Sequence, residues 1–209
     1  MNLTEKRLST FISATASGEP VPGGGSISAL CGALSAALGE MVARLTIGKK
    51  KYADVQPQME HIIEQISPVV HKLTEAVELD SDAYEQVMQA YKLPKDTDEQ
   101  KDARNIAIQR ALKHAASVPL TVAEMAASVL PMLEELAVKG NSNAITDAYV
   151  ATLCGRTAVL GACANTRINL LSIHDQPFVE DLTKTMLRLE REANEAEEKV
   201  TRIVNKTFE

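Results

Sequence analysis

Residues 20–51 read PVPGGGSISALCGALSAALGEMVARLTIGKKK, and the fold turns on how that stretch is understood. The prolines on either side of Val21 forbid a helix there, while Gly23, Gly24 and Gly25 permit positive φ and close approach to another surface. Ser26 stands where a helix N-cap is expected, so the free N–H groups of the first turn face a loop without side chains. That arrangement suits an anion or a polar ligand. A plain tight turn leading into a buried helix fits the same residue types. Beyond Ser26, small residues recur four apart as Ser28, Gly32, Ala36, as Ala29, Ala33, Ala37 and as Ser35, Gly39, Ala43, nearly encircling the axis. Such a helix is expected to be buried, with neighbouring backbones packed close. The same spacing serves transmembrane helices. Glu40 and Arg44 within the run, and its Ala/Ser/Gly bulk, argue instead for the central helix of a bundle or dimer with no membrane partner.

The 209 residues, 45% hydrophobic and 24% charged, suffice for one sizeable core and predict a single domain over 1–209. The absence of Trp and the three Phe leave Ala, Leu, Val, Ile and Met to fill that core, and strand signals are scarce, so the chain reads as all-α. A net charge of −6 speaks against nucleic acid. The opening MNLTEKRLST has no apolar run after a basic start, so no secretion signal is expected. Cys31, Cys154 and Cys163 are odd in number and form no CxxC pair, which fits reduced thiols in the cytoplasm. The four histidines lack ligand spacing, and no catalytic metal is suggested. Gly48-Lys49-Lys50 is no P-loop, because Ala43 stands where its first Gly is needed and no Ser or Thr follows Lys49.

Outward from the central stretch, Leu8, Phe11, Ile12 and Thr15 give one face to a first helix from Thr4 to about Ala16. The central helix is expected to reach about Gly48, with Lys49, Lys50 and Lys51 at the negative end of its dipole, a position that also suits a polyanionic ligand. Asp54 to Tyr91 reads helical, and Pro68, at roughly 3 kcal/mol for a proline in a helix interior, predicts a kink or break near Ser67. Thr97-Asp98-Glu99-Gln100 is a capping box opening a helix to about Val138, which Pro119 and Pro131 should bend or divide. Gly140 is placed as the C′ residue, with Asn143 or Thr146 capping a second small-residue helix to about Ile173. His174-Asp175-Gln176-Pro177 starts the last helix, to about Lys206, whose EREANEAEEK segment reads as a solvated face.

Polar groups among apolar helical neighbours are the candidates for chemistry, because burying them unpaired is costly. Asp80 and Asp82 point about 200° apart on a helix. Asp80 shares its face with Val77, Tyr84 and Val87, whereas Asp82 aligns with Glu78, Glu85, Gln86 and Gln89. Asp80 is therefore the carboxylate expected to be buried, with a raised pKa suited to proton transfer. A satisfied core acid is the alternative reading. Asn165 and Asn169 lie four apart on one face, with Asp147 and Arg156 further back, and suit either a heterocycle with amide edges or polar packing between helices.

The segments PVPGGGSISAL, GKKKYADV, LDSDAYEQVMQAYKLPKDT, ALKHAASVPLTVAEMAASVLP, LAVKGNSNAITDAYVA and ANTRINLLSI, in this order and spacing, resemble the cyclodeaminase domain of formiminotransferase-cyclodeaminase and its stand-alone bacterial relatives, including methenyltetrahydrofolate cyclohydrolases. The resemblance spans nearly the whole chain. It implies an all-α, up-and-down helical bundle, to which the reading above adds proline-kinked long helices. It further implies a homodimer with a tetrahydrofolate derivative bound near the dimer interface. The reaction implied is closure of 5-formiminotetrahydrofolate to the 5,10-methenyl compound with loss of ammonia, or hydrolysis of that compound to 10-formyltetrahydrofolate. No cofactor beyond the folate is called for. Asp80 falls at the family's catalytic aspartate, and Gly23, Gly24, Gly25, Ser26, Lys49, Lys50, Lys51, Asn141, Asn143, Asp147, Asn165 and Asn169 at positions lining the site. Lysines there could hold the glutamate tail of folate. The alternative is a catalytically silent helical module for folate binding or dimerisation.

Overall fold

The computed structural model describes residues 2–209, and within them the chain is helical almost throughout, with no β-strand. Six α-helices follow in order: α1 Leu8–Thr15, α2 Gly24–Thr46, α3 Gln56–Tyr91, α4 Asp98–Lys139, α5 Ile145–Leu170 and α6 Gln176–Phe208. Short connections force antiparallel neighbours. Accordingly α2, α3, α4 and α5 pack in a ring, each against the next, and α6 lies outside against α4 and α5.

The small residues of α2 let three neighbours reach its backbone. Ala29, Ala36, Val42 and Ala43 are fully buried, and a methyl at Gly39 would lie 2.6 Å from Leu133 Cδ2 of α4. Burial does not encircle the helix as its composition suggests. Leu34, Met41 and Leu45 stay 49%, 37% and 43% exposed, forming an outward apolar stripe. Both α2 and α4 contain stretches long and apolar enough to cross a membrane, and 56% of each stretch is buried inside the bundle.

Several expected boundaries shift for identifiable reasons. The first helix is shorter than its periodicity, because Thr4 docks its N–H and hydroxyl on Glu78 Oε1 of α3 (2.8 and 3.1 Å) within a separate 3-10 turn, Leu3–Glu5. Phe11 alone of the predicted face is buried, while Leu8 and Ile12 are exposed. Neither long helix is divided: α3 runs through Pro68, and α4 through Pro119 and Pro131. Each proline removes one hydrogen bond. Buried side chains on either side, Ile66 and Leu73 in α3 and Leu130 and Leu133 in α4, hold the flanking turns against the core.

At the capping sites, Thr97 and Gln100 form the reciprocal box at the start of α4, and Asp175 caps α6 through Phe178 N–H at 3.2 Å. Gly140 does not take the left-handed C′ conformation. It is extended, and a Cβ there would overlap the Leu136 carbonyl oxygen. Neither Asn143 nor Thr146 caps α5, which starts from Ala144; Asn141 instead caps the 3-10 turn Ser142–Ala144 just before it.

Candidate active site

The first turn of α2, the middle of α3 and the C-terminal third of α5 meet at one end of the bundle. The chain enters this corner through a cis Val21–Pro22 peptide, and Gly23 is the N-cap of α2 with extended backbone. None of the three glycines takes positive φ; among the described residues Gly48 alone does, at 76°. Their purpose is space. A methyl on Gly25 would overlap the Asp80 carboxyl group, and one on Gly24 would come within 3.1 Å of Asn165 Nδ2. Ser26 lies inside the helix rather than at its cap, and its buried hydroxyl donates to the Val77 carbonyl at 2.8 Å. That bond ties α2 to α3 one turn before Asp80.

Asp80 is partly buried and Asp82 is exposed, as their helical faces predict. Desolvation raises the Asp80 pKa above the ordinary carboxylate value, opposed by a hydrogen bond from the Ser26 backbone N–H, which favours the charged form. Of the free N–H groups at the α2 start, that of Ser26 thus meets a carboxylate of the protein itself. Asn165 donates through Nδ2 to the Gly161 carbonyl at 2.8 Å, and Asn169 donates to the carbonyls of Ala115 and Asn165, each at 3.0 Å. The donors of both amides serve to fasten α5 to itself and to α4, and Asn165 packs beside Gly24.

The remaining candidates sit elsewhere. Lys49 and Lys50 follow the C-terminus of α2, exposed, and α2 spans 23 residues, about 35 Å at ~1.5 Å per residue. Asn141 and Asn143 lie at that same far end. Asn141 donates its backbone N–H to Thr46 Oγ1 (2.8 Å) and Nδ2 to the Leu45 carbonyl (3.1 Å), and its Oδ1 accepts from Asn143 N–H (3.2 Å). Asp147 is half-buried in the first turn of α5 close by. Within one chain, then, Gly23 to Ser26, Asp80, Asn165 and Asn169 gather at one end, and Lys49, Lys50, Asn141, Asn143 and Asp147 at the other. Arg156 belongs to neither group, being held by Asn194 Oδ1 (2.8 Å) and Glu197 (2.7 Å) of α6.

Sequence reasoning passed over Tyr52, whose hydroxyl accepts from Ser142 N–H at 3.0 Å and lies 3.1 Å from Ser142 Oγ. Those bonds from Ser142 lower its pKa to about 8. Its place directly after three lysines was the available signal. Also unanticipated is an open cleft of about 730 Å³ between the end of α3 and the start of α4, lined in part by Arg110 and His114. No local motif marks it, because its walls come from helices joined only through the Lys92–Thr97 turn.

At the corner holding Asp80, the arrangement presents a poorly solvated carboxyl group beside a side-chain-free helix start and two amides. Such a group can accept a proton, return it, and stabilise a neighbouring positive charge. The family model described as formiminotransferase-cyclodeaminase matches residues 7–188. A methenyltetrahydrofolate cyclohydrolase of Methylorubrum extorquens is 40% identical over 193 residues, covering 92% of this chain and 93% of that protein. The formimidoyltransferase-cyclodeaminase of Sus scrofa is 38% identical over 192 residues, 92% of this chain but 36% of that protein. Among solved structures, a formiminotetrahydrofolate cyclodeaminase from Thermotoga maritima superposes with a TM-score of 0.88 at 31% identity, covering the whole of both chains.

Proposed function

The chain belongs to the formiminotransferase-cyclodeaminase family, and from that premise we propose that it is a folate one-carbon enzyme working at the N5–C–N10 bridge of tetrahydrofolate, by cyclodeamination or cyclohydrolysis. The observation that carries this reading is the Asp80 carboxyl group seated against Gly25, half-buried and with its pKa raised. In cyclodeamination, N10 adds to the formimino carbon, its proton passes to the carboxylate, and the resulting acid returns it to the nitrogen that leaves as ammonia. In cyclohydrolysis, the carboxylate stabilises the cationic bridge, draws a proton from the water that attacks its carbon, and returns that proton to N5 as the carbon–N5 bond breaks. Both reactions need only proton transfers and charge stabilisation, so the proposal includes no metal or redox cofactor.

The acting form is proposed to be a homodimer. The stripe of Leu34, Met41 and Leu45 on α2 would be covered by a second copy. An antiparallel crossing of two α2 helices would carry the Lys49, Lys50 and Asn143 end of one copy toward the Asp80 end of the other. The family resemblance and the division of the candidate residues between the two ends of α2 support this reading. Free Cys31, Cys154 and Cys163 fit action in a reducing, cytoplasmic compartment.

The test follows absorbance of the methenyl compound, forming from 5-formiminotetrahydrofolate or disappearing by hydrolysis. Turnover in one direction, lost in Asp80→Asn with the fold intact, is the expected result. Activity in neither direction would leave the silent folate-binding module as the better account, and full activity in Asp80→Asn would remove the carboxylate from the mechanism.

A further inference from the structure

The cleft of about 730 Å³ lies where α3 and α4 continue past the start of α2. Its apolar walls include Leu93 and Ile106, and its polar edge consists of Gln86, Gln89, Arg110 and His114, with no carboxylate among the lining residues. The volume falls within the ~300–1,000 Å³ usual for small-ligand sites. Arg110 is exposed and forms no ion pair among the described residues, unlike Lys113 one turn on, which holds Asp175 at 2.6 Å. Position along α4 fixes the relation to Asp80. Asn169 grips the Ala115 carbonyl one helical turn beyond Asn165, which packs beside Gly24, so Arg110, five residues further out again, stands about 14 Å past the level of Gly24 along the bundle at ~1.5 Å per residue.

Resting on the folate reading above, we infer that this cleft holds the p-aminobenzoylglutamate end of the substrate, with the aromatic ring on the apolar wall and Arg110 on the tail carboxylates. The span from a bridge carbon to the first tail carboxylate is roughly 10 Å with ordinary bond lengths, and the long side chain of Arg110 can cover the remaining few ångströms. Lys49 and Lys50 of the same chain, about 35 Å away along α2, are out of reach of that tail. A planar guanidinium also suits a carboxylate better than an ammonium does, through paired hydrogen bonds.

The experiment compares wild type, Arg110→Ala and a Lys49→Ala/Lys50→Ala double variant. Calorimetry measures p-aminobenzoylglutamate against p-aminobenzoate, and steady-state kinetics measures the tetrahydrofolate substrate. Wild type is expected to prefer the glutamate-bearing probe at least tenfold. Arg110→Ala should abolish that preference, raise KM at least tenfold and lower kcat no more than about threefold. A preference kept in Arg110→Ala, or lost in the lysine variant instead, overturns the inference. Wild type that turns over folate without the preference sinks the cleft assignment and leaves the proposed function standing. An Arg110-dependent preference in a protein that turns over no folate does the reverse.

Discussion

The two ends of α2 are built on opposite principles. At the C-terminal end the polar junction is matched: Asn141 engages Thr46, Leu45 and Asn143, and Tyr52 accepts from Ser142. At the N-terminal end a carboxyl group is pressed against Gly25 in a position that burial disfavours for its charge, with one backbone N–H in compensation. A fully bonded polar network rigidifies a joint. A carboxylate kept short of solvent and partners is ready to exchange a proton, and lowers stability in doing so. The contrast separates the end that fastens the bundle from the end proposed to act.

The strongest way to break this contrast is Asp80→Asn. Turnover should fall at least ~100-fold, while the melting temperature at pH 7 should not drop below wild type. The sign follows from linkage: a carboxyl group whose folded pKa is raised stabilises the fold below its unfolded pKa, and that contribution is lost as pH rises through the folded pKa. Activity runs the other way, disappearing as pH falls through the same raised pKa because the base becomes protonated. A pH series of kcat/KM beside a pH series of thermal melts reads both; parallel losses on acidification would contradict the assignment.

Gly25→Ala comes next. The added methyl must displace the Asp80 carboxyl group, so kcat is expected to fall roughly tenfold, the scale of one misplaced proton-transfer group, with the circular dichroism of the bundle retained. At the fastening end, Asn141→Ala should cost about 1–3 kcal/mol in urea denaturation, by stranding the Asn143 N–H and the Leu45 carbonyl. Smallest is Tyr52→Phe. Its hydroxyl is on the surface, and the variant should lose less stability than Asn141→Ala. A larger loss there than in Asn141→Ala would blur the distinction between the two ends.

Much of this was legible locally. The capping box at Thr97 and Gln100, the cap at Asp175 and the opposed faces of Asp80 and Asp82 are decided within one or two helical turns, where spacing alone carries the information. Readings that depended on a partner element changed. Of the two roles read for the glycines beside Ser26, positive φ and close approach to another surface, the structure uses only the second, because α3 and α5 bring Asp80 and Asn165 against them. The prolines of α3 and α4 are expected to kink or divide their helices, and division is what core packing prevents. Likewise, nothing local told that Lys49 and Lys50 would lie a whole helix away from Asp80.

The overlap between a Cβ at position 25 and the acid at position 80 also constrains how this protein can diverge. The two positions are sterically coupled: a side chain at position 25 displaces the acid, and loss of the acid leaves room to fill the gap. Epistasis between the sites should therefore be asymmetric, with Ala at position 25 harmful in the presence of the acid and harmless after its loss.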